Sequence, residues 1–232
     1  MHVSMKKITA GVLMGLGLAA THAPVMAEDS PFSANVGLFS DYAFRGVSQT
    51  SENPAIQGGF DYAHDSGFYA GVWGSNVDFG GSVEVDGYFG YAGSISDDFG
   101  YEVGYLRYFY PGDEDNDGVD YDTNEYHVGL SYKMFNLKYH YSTEYFGIDE
   151  NAYYLEGNAN IELPAGFALG LHLGQNGGDG VEAMFGEEYL DWKVGISKEL
   201  AGLNVGLAYV DTDLKDNKYA DERFILSVSK SF

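Results

Sequence analysis

The segment FILSVSKSF, residues 224–232, alternates apolar and small polar side chains and ends on an aromatic residue. Successive side chains of a strand point to opposite faces, so this pattern puts one apolar face on a final strand. The apolar positions are Phe224, Leu226, Val228 and Phe232. Such an ending is typical of a bacterial outer-membrane β-barrel, and we interpret Phe232 as its assembly signal. Lys230 interrupts the pattern, but a lysine side chain can extend to the membrane interface.

The N-terminus has the pattern of a secretory signal. Lys6 and Lys7 precede an apolar run over residues 8–20, and the small-residue pattern at residues 25–27 fits a cleavage site. We therefore expect a signal peptide over residues 1–27 and a single barrel over residues 28–232. An uncleaved anchor is the alternative, but the run is short for a spanning helix and rich in glycine.

The composition also favours a barrel. The mean hydropathy is −0.22, yet 16% of the chain is aromatic and 32 residues are glycine. A transmembrane barrel combines these values because only alternate residues of each strand face lipid, while tyrosine collects at the interfaces. A secreted β-sandwich is the alternative. It requires a dry core, for which the predicted inward side chains are too polar.

The net charge limits the classes of molecule that the protein can bind. There are 35 acidic and 12 basic residues, for a net charge of −23. This acidity excludes nucleic acid as a partner for an extended surface. The expected partners are outer-membrane lipid and lipopolysaccharide, the barrel-assembly machinery and small solutes. The chain has no cysteine, so disulfides and thiolate sites are absent.

Alternation of period two recurs along the chain and predicts an all-β transmembrane antiparallel barrel of about twelve strands. An even number is expected for a bacterial single-chain barrel. The predicted spans are 32–45, 54–63, 67–76, 82–93, 98–110, 122–132, 134–144, 151–163, 166–175, 189–198, 202–211 and 222–232.

The predicted connections alternate between short and long. The tight ones lie near residues 65–66, 96–97, 133–134, 164–165 and Glu199-Leu200. The other six are mostly longer and polar. This order predicts periplasmic turns, extracellular loops and two periplasmic termini in the outer membrane of a Gram-negative bacterium.

The outward side chains sort by predicted depth. Aliphatic residues such as Val103 and Leu207 fall at mid-membrane, with aromatic residues near both ends of the strands. The predicted periplasmic girdle is Tyr62, Tyr91, Phe99, Tyr101, Phe135, Phe167 and Phe232. The predicted external girdle is Tyr42, Phe44, Phe109, Tyr139, Tyr141, Tyr153, Tyr209 and Phe224.

One stretch resembles a known family. The segments SDYAFRGVSQT (residues 40–50), PAIQGGFDY (54–62) and SGFYAGVWGSN (66–76) are similar to the opening of the TorF-type porin family, exported bacterial outer-membrane proteins of unknown function. The resemblance covers about residues 34–80. It implies an outer-membrane barrel and a channel role, and it carries no catalytic residue or known substrate.

If the apolar residues face lipid, the residues between them line the lumen. The predicted lining residues are Asp41, Arg45, Asp61, Glu84, Asp86, Glu102, Glu125, His127, Lys138, His140, Glu156, His172, Asp191 and Lys193. Acidic residues outnumber lysine and arginine eight to three in this set. An open lumen of this kind predicts a porin-like channel for passive diffusion of small polar solutes, cations before anions.

Two alternatives for the lumen charges stay open. The charges can pair with each other and close the barrel, leaving a non-conducting structural or surface protein. Arg45 in particular is either a constriction charge or the partner of a nearby carboxylate, and we favour the second interpretation.

An enzyme is not expected. A barrel-embedded hydrolase is the least favoured alternative, because adjacent His64, Asp65 and Ser66 cannot form a nucleophile–base–orienter chain and G-x-S-x-G is absent. The three predicted lumen histidines lie on separate strands, so we expect no metal site from them.

No cofactor is expected apart from calcium in one loop. Asp113, Asp115 and Asp117, followed by Gly118, match the first half of a calcium loop. The closing position is Asn124 rather than glutamate. The alternative is an acidic loop that is merely solvated, or bridged by divalent ions to lipopolysaccharide.

Overall fold

The computed structural model describes residues 30–112 and 118–232. Twelve strands close into one antiparallel barrel, in which each strand pairs with its neighbours in sequence and the first pairs with the last. The barrel strands are β1 (Phe32–Phe39), β4 (Ala55–Ala63), β5 (Phe68–Asn76), β6 (Val83–Ser94), β7 (Phe99–Phe109), β8 (Thr123–Tyr132), β9 (Phe135–Ser142), β10 (Ala152–Leu163), β11 (Phe167–Gly177), β12 (Tyr189–Leu200), β13 (Leu203–Thr212) and β14 (Arg223–Ser231). Two further short strands, β2 (Ala43–Phe44) and β3 (Val47–Ser48), pair only with each other. The predicted strand number is therefore confirmed. The expected signal peptide lies outside the described residues.

Strands β1 and β14 form the seam of the barrel. Leu38 lies opposite Val228 in their register. At the end of the seam, the Phe232 N–H donates to the Ala34 carbonyl at 2.8 Å, and the Ala34 N–H donates to the Phe232 carbonyl at 3.2 Å. Closure of the sheet leaves no unpaired edge strand.

The two ends of the barrel differ. The turn end carries the short connections, the start of β1 and the end of β14. The last of these turns lies at Ala201–Gly202, both with positive φ, and not at Glu199–Leu200 as predicted. Glu199 and Leu200 instead stay paired within β12, because only the following two residues adopt the turn conformation.

The opposite end, the loop end, carries the longer connections. One of them contains the helix α1 (Asp179–Phe185), which ends at Gly186 with a left-handed conformation. Within the described parts of the chain, no helix is long and apolar enough to cross a membrane.

The outer surface of the barrel is apolar. Leu38, Val72 and Val128 are 52–60% exposed on the outward faces of their strands. Aromatic residues are exposed towards both ends, for example Phe135 at the turn end and Phe224 near the loop end. A monomeric soluble protein rarely exposes so extensive an apolar surface.

The first strand ends earlier than predicted, at Phe39 instead of residue 45. Residues 40–54 turn into the barrel, so Tyr42 and Phe44 do not belong to the external girdle. Tyr42 is 1% exposed and lies in a buried aromatic cluster. Asp41 stabilises the turn, because its Oδ1 accepts hydrogen bonds from the hydroxyls of Ser48 and Thr50.

Candidate functional site

The inward hairpin, residues 43–48, crosses the interior of the barrel. Its tip is Arg45 and Gly46, both with positive φ. The Arg45 guanidinium forms a buried ion pair with Glu125 on β8. Its Cζ also lies 4.4 Å from the centre of the Tyr154 ring on β10. The Gly46 carbonyl accepts a 2.7 Å hydrogen bond from Arg223 on β14. The hairpin is thus fixed to several separate strands of the wall.

Aromatic packing supports the hairpin from the loop end. The ring of Phe44 lies 5.7 Å, centre to centre, from both Tyr108 and Phe146, edge to face. Tyr42 packs against Trp73 at 5.6 Å in the same manner. These contacts fill the interior near the loop end with rings, an arrangement that favours a rigid hairpin over a mobile loop.

A chain of carboxylates and imidazoles runs around the wall beside the hairpin. This histidine belt comprises Glu125, His140, Glu156, His172 and Asp191, one from each of the adjacent strands β8 to β12. The successive oxygen–nitrogen distances are 2.8, 3.0, 3.5 and 2.8 Å. Three of these links are hydrogen bonds, whereas Nδ1 of His172 bonds to Asn158 at 2.8 Å and only approaches Glu156. Such a connected polar network makes the wall rigid.

Nearer the turn end, further polar pairs line the wall. Lys138 on β9 forms a 2.7 Å ion pair with Glu102 on β7. The hydroxyl of Tyr69 lies 3.2 Å from Nε2 of His127. The hydroxyl of Tyr88 donates to Asp61. The ring of Tyr88 lies over Gly71, where a Cβ would lie 2.4 Å from the ring, so a side chain there would displace the tyrosine.

A cavity lies between the hairpin and the belt. Ten of the fourteen predicted lining residues border it: Asp41, Arg45, Glu125, His127, Lys138, His140, Glu156, His172, Asp191 and Lys193. The other four do not border this cavity. Asp61 pairs with Tyr88, Glu102 pairs with Lys138, and Glu84 and Asp86 are buried elsewhere on the wall. Arg45 reaches the cavity from the hairpin and not, as predicted, from the end of strand one.

Solvent reaches the interior more easily from one end. Inward side chains near the loop end are buried, with Asp86 at 0% and Thr123 at 1% exposure. Asp61, Asn136 and Asn158, farther from the loop end, are partly exposed. The interior is therefore a polar vestibule that is open towards the turn end and narrowed by the hairpin near the loop end.

Sequence reasoning missed two kinds of site residue. Arg223, whose Nε donates to Asp41 Oδ2 at 2.6 Å, is absent from the predicted lining set. Its position, one step before Phe224 in the alternation, could have indicated an inward side chain. The tyrosines Tyr69 and Tyr154 were also missed, because tyrosine in a barrel strand is expected first at the membrane interface.

The sequence suggested a few residues for catalysis or metal binding, and the structure describes some of them. His64 Nδ1 lies 2.7 Å from the Ser66 hydroxyl on an exposed turn. Within residues 30–112 and 118–232, no three His, Asp or Glu side chains are arranged to hold a metal ion. The predicted calcium ligands Asp113, Asp115 and Asp117 lie outside the described residues.

A closed twelve-stranded barrel with an apolar exterior and a polar vestibule defines the class of porin-like β-barrels. The chain belongs to the family described as "Bacterial protein of unknown function (Gcw_chp)", whose model matches residues 26–232.

Solved porins share the fold. The KdgM porin is 11% identical with a TM-score of 0.57, over 86% of this chain and 99% of that chain. The NanC porin is 13% identical with a TM-score of 0.55, over 85% and 97% of the two chains. A structure of KdgM in complex with disordered oligogalacturonate gives a TM-score of 0.54 at 11% identity, over 86% and 99%. No curated protein has a significant match to the chain.

Proposed function

We propose that this protein is a porin-like channel in the outer membrane of a Gram-negative bacterium, with both termini in the periplasm. The observation that carries the proposal is the combination of an apolar outer surface with a polar, solvent-reached vestibule inside a closed barrel. The resemblance of about residues 34–80 to the TorF-type porin family favours the same role. In this orientation the loop end faces outward and the inward hairpin forms the constriction.

Small polar solutes fit such a constriction, with cations preferred over anions. Of the predicted lining residues, eight are acidic and three are lysine or arginine, and Arg223 adds one further cation. Most of this acidic excess lies on the inner wall away from the cavity, which is itself bordered by four acidic residues and by Arg45, Lys138 and Lys193. Rings of carboxylates favour cations in a pore. Oligogalacturonate, present in the KdgM complex, is a polyanion. This acidic interior is a poor match for it, so we do not extend that ligand to this protein.

The paired charges favour a second candidate, a non-conducting barrel plugged by the inward hairpin. Arg45, at the tip of the hairpin, forms an ion pair with Glu125 on the wall. Arg223 on β14 binds both the carboxylate of Asp41 and the carbonyl of Gly46 in the hairpin. A plug fixed in this way would leave a structural or surface protein with a vestibule on one side only.

Planar-bilayer recording of the purified protein tests both candidates. The wild type is compared with a variant in which residues 43–48 are replaced by a short glycine–serine linker, and heat-denatured protein is the control. A channel gives discrete conductance steps in the wild type, larger steps in the variant, and a cation-selective reversal potential in a salt gradient.

The other outcomes separate the alternatives. A silent wild type with a conducting linker variant establishes the plugged barrel. Silence of both proteins contradicts the channel proposal, and anion selectivity contradicts the preference inferred from the charge count.

A further inference from the structure

Two buried carboxylates lie close together outside the histidine belt. Glu84 and Asp86 are two residues apart on β6, so their side chains share the inner face of the barrel. They are 1% and 0% exposed. Within the described residues the two carboxyl groups contact each other and Tyr110 also contacts Glu84, but no N–H donor is bonded to Asp86 or to Oε2 of Glu84. The ion pairs found within residues 30–112 and 118–232 include neither residue.

A buried amide oxygen lies in the same row of side chains. Gln57 on β4 is opposite Ser75 on β5, which is in turn opposite Glu84. Gln57 is 4% exposed, and within the described residues its Oε1 has no hydrogen-bond partner. Neighbouring strands are about 4.8 Å apart, so the long side chains of Gln57 and Glu84 can meet over the small Ser75.

A loop residue completes the surroundings. The hydroxyl of Tyr42, within the inward-turning segment 40–54, donates a 2.9 Å hydrogen bond to Glu84 Oε1. The carboxylate pair is therefore in direct contact with the segment that narrows the barrel.

Folded proteins rarely leave buried polar atoms without partners, and a buried carboxylate is strongly disfavoured unless a cation or a proton compensates it. Two carboxylates and an amide oxygen form an oxygen-only donor set, which suits hard cations. The charge of two carboxylates matches a divalent ion, and the irregular donor positions suit Ca²⁺ better than the strict octahedron of Mg²⁺.

We propose that Glu84, Asp86 and Gln57 form a binding site for a divalent hard cation, Ca²⁺, on the inner wall of the barrel. The site is independent of the channel proposal and includes none of the predicted loop ligands Asp113, Asp115 and Asp117. Since Tyr42 donates to Glu84, an ion held there also secures the loop segment that leads into the inward hairpin.

Terbium luminescence tests the site, because Tb³⁺ replaces Ca²⁺ at oxygen ligands and emits when a nearby tryptophan is excited. Trp73 is the strand partner of Asp86 and packs against Tyr42. The second tryptophan, Trp192, lies on the outward face of β12. The full chain is refolded with Tb³⁺ present, so that the buried site can fill.

We expect tryptophan-sensitised emission that Ca²⁺ competes away. The emission should fall at least about tenfold in Trp73→Phe and in the double variant Glu84→Gln/Asp86→Asn, which removes the anionic oxygen donors that hard cations require. The emission should be unchanged in Trp192→Phe and in the triple variant Asp113→Asn/Asp115→Asn/Asp117→Asn. Heat-modifiability on a detergent gel verifies that each variant is folded.

Three results would overturn the proposal: wild type without a Ca²⁺-competed signal, a signal that survives in the double variant, or a signal lost only in the triple loop variant. The first would mean that the carboxyl pair is neutralised by protons. If the double variant does not fold, the comparison of Trp73→Phe with Trp192→Phe and the Ca²⁺ competition still give the answer.

Discussion

The guanidinium of Arg45 and the carboxylate of Glu125 form a buried ion pair between the inward hairpin and the opposite part of the barrel wall. The side chains are 5% and 3% exposed. Glu125 is held on its other side by His140, whose Nδ1 lies 2.8 Å from Oε1. The pair therefore links the hairpin to the histidine belt, and the rigidity of the constriction depends on it.

Replacement of Arg45 by alanine should destabilise the folded barrel substantially. Loss of one partner from a buried ion pair leaves an uncompensated charge and costs about 3–5 kcal/mol. Arg107→Ala is the matched control, because Arg107 pairs with Asp122 while 46% exposed, and such pairs contribute about 0–1 kcal/mol. Urea unfolding in detergent compares the two variants. Equal losses would contradict the anchoring role of Arg45.

Gly46→Ala should displace the hairpin tip. Gly46 has φ +81°, and a Cβ there would lie 2.3 Å from Thr212 Cγ2 and 2.8 Å from Asp191 Cβ. Gly202 has φ +77°, and a Cβ there would meet no atom within 4 Å, so Gly202→Ala reports backbone strain alone.

We expect Gly202→Ala to lose about 1 kcal/mol of unfolding free energy, and Gly46→Ala to lose about 1–3 kcal/mol more through overpacking. Urea unfolding in detergent measures both losses. The conductance should change only in Gly46→Ala. A similar loss in both variants would show that the wall yields to the added methyl group.

Lys138→Gln should increase the preference for cations. The substitution removes the ammonium group 2.7 Å from Glu102 and leaves that buried carboxylate without its ion-pair partner. A less compensated carboxylate in a pore attracts cations. The reversal potential in a salt gradient should shift towards the cation equilibrium potential. Lys133→Gln, at an exposed turn position, should leave it unchanged, and an equal shift in both variants would argue against a lumen effect.

Phe232→Ala should reduce the amount of folded barrel in the outer membrane. The backbone hydrogen bonds between Phe232 and Ala34 are retained, so the variant tests the terminal aromatic side chain. Phe224→Ala is the control, because Phe224 is an exposed aromatic residue at the other end of the same strand. Quantitative blots of outer-membrane fractions measure the effect. Equal levels of the two variants would remove Phe232 as an assembly signal.

The barrel itself could be predicted because its cause is local. Each strand must present alternate side chains to two environments, so the pattern of residues 224–232 recurs along the chain. The predicted start or end of most strands lies within two residues of the observed one, as for the predicted span 122–132 and the observed strand Thr123–Tyr132. Alternating short and long connections are likewise a local property, and they predicted turns at one end of the barrel and loops at the other.

The failure at the first strand has a physical reason. Residues 40–45 continue to alternate, and alternation alone cannot distinguish lipid from an aromatic cluster as the environment of Tyr42. The left-handed conformation of Arg45 is uncommon for a residue with a side chain, and the contacts that hold it come from distant strands.

The sequence by itself determined the barrel, the apolar exterior and the acidic character of the interior, because these follow from alternation and composition. Only the tertiary structure decided which charges meet. Arg45 reaches Glu125, His140 lies between two carboxylates, and Asp86 is buried against Glu84 with no ion-pair partner among the described residues. Such contacts depend on the register of many strands and on the path of one loop. A linear pattern places a side chain inside the barrel, whereas its partner is fixed by closure of the sheet in three dimensions.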